Sequence, residues 1–261
     1  MCSSDLEPGT LATAQLPALK EVTFQQRLNN QLPMDATFKD EAGQPVTLGQ
    51  YFGHDRPVIL AFVYYSCPML CNQVLNGVAR SVKMLTTFKA GQDYDVVFIS
   101  FDPRDTPDAA NAKKTTLLNY WNTQSQTGAW HFLTGESAAI ARTTSAAGFA
   151  YKWDDQSQQF AHLSGVLVLT PDGRLSRYFF GVEYSPRELR LALVESGQGK
   201  IGSVVDQLLL YCFHYDPANG RYGALVMNMV RLGGALTVVT LAGFIALMRW
   251  RETHPPMEGH A

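Results

Sequence analysis

The residues best equipped for chemistry lie in "VYYSCPMLCNQVLNGV", Val63 to Val78, where an apolar run ends in Cys67 and Cys71. Two soft sulfur atoms stand at i and i+4 with Pro68 between them, rather than at the i and i+3 of a common disulfide catalyst. Pro68 suits the first position of a helix, where a missing N–H costs nothing. Cys67 then falls at or near the N-cap with Cys71 one turn on, so both sulfurs face one side. The positive end of the helix is expected to lower their pKa and favour thiolate. On a regular helix, Cβ atoms at this spacing lie roughly 5–6 Å apart, whereas a disulfide wants about 3.5–4.5 Å. A bridge therefore needs the flexible helix edge and carries strain, while a shared metal ion needs no such closure. Thiolates select soft ions such as Cu(I) and also suit Zn(II). Three readings stand: a metal site, a redox-active pair, or two small buried hydrophobes.

Two sulfurs leave a metal incompletely coordinated, so a third donor is required. The candidates are Met69, His54, His131, His162, His214, His254 and His260. His54 lies in a Gly-His-Asp-Arg turn and reads as a solvated loop residue. His131 sits within "AWHFL" as an ordinary strand residue, and Met69 packs or caps its loop. His254 and His260 belong to a tail beyond an apolar helix. His162 immediately precedes "GVLVLTPDG", near the carboxyl end of the first strand where sites of open α/β sheets gather. On the residues alone it stays open between ligand and surface histidine.

The elements that position these groups follow from the pattern of apolar residues. "MDATFKDEAGQPVTL" (34–48) alternates around a turn and predicts a β-hairpin. "RPVILAFVYY" is a strand buried on both faces. Leu70, Val74, Val78, Val82 and Leu85 form one helical stripe after it. "DYDVVFISFDP" is a second buried strand. Thr106 as N-cap with Pro107 at the first position opens another helix. "WHFLTG" gives a short strand and "ESAAIARTTSAAGF" a helix. "HLSGVLVLTPDGRLSRYFFG" reads as strand, Pro-Asp-Gly turn, strand, followed by a helix with Ser185 as N-cap and Pro186 behind it. The order ββαβαβα then ββα predicts an α/β fold with a partly parallel central sheet and helices on both faces.

The bulk properties agree with one core plus extras. The chain has 261 residues, 46% of them hydrophobic, and a net charge of −2. It lacks the basic stripe or lysine-rich tail expected of a nucleic-acid partner. Four cysteines (Cys2, Cys67, Cys71, Cys212) do not make a disulfide scaffold at this length. "LGGALTVVTLAGFIALM", Leu232–Met248, is uncharged. As a helix it spans roughly 25 Å, and extension back through Ala224 crosses a bilayer core of about 30 Å. Arg221 and Arg231 precede it and Arg249 and Arg251 follow, so charge does not set its orientation. The first 20 residues lack the apolar region of a signal peptide. The expected organisation is a flexible leader (1–30), a metal-binding domain (31–196), a connecting segment (197–223), a transmembrane helix (224–248) and a short tail (249–261). Cys212 and His214, two apart in the connecting segment, are candidate auxiliary ligands, with a packing role favoured.

"CPMLC" after one apolar strand, "SFDPRDTP" after the next, and a histidine just before "LVLTPDG" together resemble the Sco (SenC) family over about Leu32 to Val194. That family comprises thioredoxin-like, membrane-anchored copper proteins that serve assembly of the copper A centre of cytochrome c oxidase. The resemblance implies copper, Cu(I) or Cu(II), held by Cys67, Cys71 and His162, the cysteines also acting as a redox-active pair. It implies a central mixed sheet flanked by helices. Its implied partners are the copper-site subunit of the oxidase, other copper chaperones or thiol reductants, and a membrane. It places the chain, single-pass, in the bacterial inner membrane with its domain in the periplasm. His162 is then expected as neutral imidazole, its other nitrogen held by an acceptor; Asp102 and Asp105 are the acidic candidates, with turn and capping chemistry their alternative role. Transfer by ligand exchange predicts partly accessible cysteines. The chain departs from the family in Asn72 after the second cysteine, where proline is frequent, and in Ala161 and Leu163 around the histidine. Its "DPRDTP" loop is one residue short, and its apolar span is C-terminal instead of N-terminal. The rival functions are a thiol–disulfide oxidoreductase or peroxidase of the same fold, and a redox sensor.

Overall fold

The computed structural model describes residues 22–67, 70–202, 215–216, 221–222 and 224–253. The described residues from 22 to 202 form one compact unit, and the long C-terminal helix belongs to another. A short hairpin, β1 (Thr37–Lys39) and β2 (Pro45–Thr47), opens the first unit. Then follow β3 (Val58–Val63), α1 (Leu70–Met84), β4 (Asp95–Ser100), α2 (Pro107–Trp121), β5 (Trp130–Leu133) and α3 (Ser137–Ala146). A second hairpin, β6 (Tyr151–Asp154) and β7 (Gln159–His162), comes next. The chain continues through β8 (Gly165–Leu169), β9 (Leu175–Phe180) and α4 (Pro186–Gly197).

The central sheet has five strands in the order β5-β4-β3-β8-β9. β3, β4 and β5 run parallel, whereas β8 is antiparallel to β3 and to β9. Every residue of β3, β4 and β8 is buried, as unbroken apolar strands covered on both faces must be. On α1 the residues Val74, Val78 and Val82 are buried, and Leu85 just beyond it is too, so the expected stripe faces the core from Val74 onward. Ser81 Oγ donates to the Tyr184 carbonyl at 2.6 Å. Gly77 allows that approach, since a Cβ there would come within 2.0 Å of the Val182 carbonyl oxygen. α2 starts as predicted: Pro107 occupies its first turn, and Thr106 Oγ1 accepts from the Ala109 N–H at 3.3 Å. The Pro-Asp-Gly turn joins β8 to β9, with Gly173 at φ +82°, a conformation glycine adopts without penalty.

Residues 22–30, the end of the segment read as a leader, lie along this unit. Phe24 is buried against Phe149, Tyr178 and Phe180. Pro68 and Met69 fall outside the described residues, so the expected Pro68 helix start does too; the described helix begins at Leu70.

In the other unit, two short strands pair, β10 (Tyr215–Asp216) with β11 (Arg221–Tyr222). A single helix, α5, runs from Ala224 to Thr253. Its stretch Arg231–Arg249 has mean hydropathy 1.7 and is long and apolar enough to cross a membrane. Thr237 and Thr240 donate their hydroxyls to the carbonyls of Gly233 and Leu236 one turn back, which satisfies their polar groups within the helix. Cys2, Cys212, His214, His254 and His260 lie outside the described residues.

Candidate metal centre

β3 delivers the chain to the site. Beyond its last residue, Val63, Tyr64 and Tyr65 are buried, and the turn that follows brings Cys67 in front of the first turn of α1. Cys67 is 5% exposed and Cys71 1%. Both are thiols, not joined to one another. The Cys71 N–H points at Cys67 Sγ at 3.5 Å, and the Tyr64 N–H at Cys71 Sγ at 3.4 Å. Backbone donors aimed at sulfur stabilise charge that builds up there.

His162 comes from the far side of the sequence. It ends β7 and pairs across the hairpin with Tyr151. Its Nε2 stands 3.7 Å from Cys71 Sγ. Its Nδ1 lies 3.0 Å from the Leu163 carbonyl oxygen. A carbonyl only accepts, so Nδ1 carries the proton and the Nε2 lone pair faces the sulfur. Burial pulls the His162 pKa below its ordinary value, although the Leu163 carbonyl and Cys67 act the other way. The imidazole is thus held neutral, as a ligand must be. Rings frame it: Phe101 at 5.1 Å between centroids, Tyr64 at 6.0 Å and Phe149 at 6.1 Å.

Two expectations about the cysteines are corrected. Both are buried rather than partly accessible. The Cys71 thiol is pushed well up, first by its contact with Cys67 and then by burial, with the Tyr64 N–H pulling the other way. The helix terminus does not make Cys71 a ready thiolate, because a second sulfur and an apolar surround outweigh it. Burial, followed by the nearby Cys67, likewise keeps the Tyr64 phenol neutral.

The acidic residues of the β4–α2 loop do not touch His162's outer nitrogen, whose acceptor is the Leu163 backbone. Asp102, 1% exposed, accepts from the Arg104 N–H at 2.9 Å and pairs with its guanidinium. Asp105 Oδ2 accepts from the Tyr65 N–H and from Ser100 Oγ, both at 2.6 Å. That carboxylate ties the loop to the segment leading into Cys67. Of the other candidate donors, His54 is exposed in its turn. His131, in β5, packs against Tyr51 with the rings tilted and 4.5 Å between centroids.

The Cys71–His162 contact has the separation of two donors sharing one ion. With metal–sulfur and metal–imidazole bonds of about 2.3 and 2.05 Å, an angle of roughly 110–120° sets S and N about 3.6–3.8 Å apart. No group of three His, Cys, Asp or Glu side chains forms a finished cage among the described residues, yet the Cys67 sulfur lies against both the His162 imidazole and the Cys71 thiol. The residues present fit a thiolate–imidazole ion site of low coordination number.

The SCO1/SenC family model matches residues 25–195. No curated protein sequence matches the chain. Among solved structures, a protein of Aquifex aeolicus VF5 is 24% identical with TM-score 0.57, covering 66% of this chain and 95% of its own. Arabidopsis thaliana ScoI, solved with copper bound, is 20% identical with TM-score 0.50, over 62% of this chain and 96% of its own. BsSco, described as having a disulfide switch and as a member of the Sco family of cytochrome c oxidase assembly proteins, is 19% identical with TM-score 0.52, over 68% of this chain and all of its own. The mixed five-stranded sheet flanked by helices is the thioredoxin-like fold expected from the motifs. With its two cysteines, its strand-end aspartate loop and its hairpin histidine inside the matched span, this chain belongs to the SCO1/SenC family.

Proposed function

We propose that this protein is a membrane-anchored copper carrier that holds Cu(I) or Cu(II) through Cys67, Cys71 and His162 and serves assembly of the copper site of a cytochrome c oxidase. The observation that carries the reading is the 3.7 Å approach of Cys71 Sγ to a neutral, outward-braced His162 across 91 residues of chain. Family membership supports it, as does copper bound in the Arabidopsis relative. Two thiolates and one imidazole suit a soft, three-coordinate ion; structural zinc wants four protein donors. In this reading the copper ion is cargo. Its arrival displaces the Cys71 proton, and His162 supplies a lone pair without losing a proton. The copper-binding domain spans about residues 31–196, with the end of the preceding leader (1–30), residues 22–30, packed against it. The segment 197–223 leads to a span at 224–248 with a short tail (249–261). The domain faces the bacterial periplasm from the inner membrane. Its partners are the copper-bearing oxidase subunit and a copper donor or thiol reductant.

An oxidoreductase of this fold uses the same pair as nucleophile and resolving thiol. The raised Cys71 pKa and the burial of both sulfurs argue against that use. The test is an anaerobic Cu(I) titration of the detergent-solubilised full chain against a competing chelator, beside Cys67→Ala, Cys71→Ala and His162→Ala. The reading expects one ion per chain and weakened binding in each variant. Three variants that bind as tightly as wild type would refute the site.

A further inference from the structure

His162 rides on an element that the central sheet does not hold. Among the described residues β6 and β7 pair only with each other. What fastens this hairpin is side-chain contact on one face. Phe160 meets Tyr64 and Phe101, each at 5.5 Å between centroids, and Tyr151 meets Phe101 at 4.7 Å. Near its tip the aromatic packing gives way to a cation. The Arg104 guanidinium lies 4.4 Å from the centroid of Trp153 and 5.5 Å from that of Phe160. Trp153 and Phe160 face each other across the hairpin and touch at 4.9 Å.

Arg104 is itself fixed. Its Nε is 2.8 Å from Asp102 Oδ1 and its Nη2 is 2.8 Å from Oδ2, a bidentate fork on a carboxylate that is almost wholly buried. Asp102 directly follows Phe101, which immediately succeeds β4, so the arginine is anchored to the rigid sheet at one end and covers the hairpin at the other. We propose that Arg104 is a positioning residue for His162: by clasping Trp153 and Phe160 from the Asp102 anchor, it holds the β6–β7 hairpin closed and keeps the imidazole beside Cys71. The proposal rests on the copper-site reading for its consequence, but the clasp itself is a property of the metal-free protein.

A planar guanidinium is what the geometry uses. It forks onto the carboxylate through its edge and covers the rings with its face, which a lysine ammonium cannot do together. Arg104→Lys is therefore expected to behave closer to Arg104→Ala than to wild type.

The experiment measures amide hydrogen exchange of the metal-free full chain in detergent, residue by residue. The variants are Arg104→Ala, Arg104→Lys, Trp153→Leu and the double variant Arg104→Ala/Trp153→Leu. Arg80→Ala, which breaks the exposed pair with Glu183, is the control. The clasp predicts exchange over residues 151–162 faster by about 3–10-fold in Arg104→Ala, the range a cation–π contact of this kind supports. It predicts no change in β3 and β4, and a gain in the double variant smaller than the product of the two single gains, since the Arg104–Trp153 contact is lost in both. Unchanged hairpin exchange in Arg104→Ala, or an equal rise in β3 and β4, overturns the clasp. In the copper arm, Arg104→Ala is expected to release Cu(I) to a chelator about 3–10-fold faster than wild type, while Arg80→Ala matches wild type. An unchanged release rate beside faster hairpin exchange overturns the link to His162. A wild type that binds no copper refutes the functional reading alone, because the exchange arm still decides the clasp.

Discussion

The two halves of the proposed site are built on opposite principles. Cys67 and Cys71 are buried beyond the end of a fully buried central strand, Cys71 in the first turn of α1. His162 sits at the end of a two-stranded ribbon of half-buried residues, fastened by rings and one arginine. Main-chain ladders and core burial set the position of the sulfurs; side-chain packing on the rings of Phe101, Tyr64 and Phe149, with no shared ladder, sets the position of the imidazole. Local opening is drawn from elements with few buried contacts and no shared ladder. A site closed by one such element can hold its ion out of water, yet open without disturbing the sheet. Both sulfurs are buried with the hairpin in this position.

The comparison is broken most severely by removing a sulfur. Cys71→Ala takes away the donor that touches both Cys67 and His162. Its copper affinity is expected to fall by on the order of 100-fold or more, beyond the 10–100-fold that loss of supporting groups costs. Chelator competition reads this directly. His162→Ala removes the donor on the weakly held side and is expected to cost about 10–100-fold, leaving the two sulfurs able to retain the ion. Equal losses for the two variants would erase the distinction between the halves.

Acidity tests the same contrast on the chemical side. The Cys71 pKa is raised, so its proton must leave when the metal binds; the His162 pKa is lowered, so its imidazole is already neutral near pH 7. Affinity is expected to rise with pH, by about tenfold per unit for each thiol proton released. His162→Ala should leave that slope unchanged between pH 6.5 and 8, since no imidazole proton is exchanged there. A shallower slope in the variant would show that the histidine titrates in this range. For the protein without metal, the sign is the ordinary one for a histidine buried neutral. Its stabilising contribution is present above the unfolded pKa near 6.5 and is lost as pH falls through the lowered folded value.

The smallest expected effect lies on the rigid side. Asp105→Ala strips the Tyr65 N–H of its acceptor and is expected to lower stability by about 1–3 kcal/mol. Asp105→Asn keeps an acceptor oxygen and should recover most of that in thermal melts. Because β3 and α1 still hold the cysteines, Asp105→Ala should reduce copper affinity less than His162→Ala.

The contrast between the halves also explains what could be read from residues alone. β3, α1, β4 and the β8–β9 hairpin announced themselves by long apolar runs, helical stripes and turn residues, and Thr106 marked the start of α2. The β6–β7 hairpin was not legible: its strands are short and half-buried, and "DQSQ" between them reads as plain loop. The signal that could have found it is the alternation of Tyr151 with Trp153 and of Phe160 with His162. The acceptor for His162 could not be named because it is a backbone carbonyl, which any residue supplies. The thiolate expectation weighed the helix terminus but not the second sulfur, whose cost depends on a distance that spacing does not give. Sequence therefore located the donors, whereas the state of each depended on burial by residues far along the chain, Phe101, Phe149 and Tyr64 among them.

X-ray absorption at the copper edge, on the Cu(I)-loaded full chain prepared without oxygen, tests the central claim most directly. The account predicts two sulfur scatterers and one imidazole, with the imidazole signature gone in His162→Ala and both sulfurs kept. A wild-type spectrum without imidazole, or with fewer than two sulfurs, would contradict it.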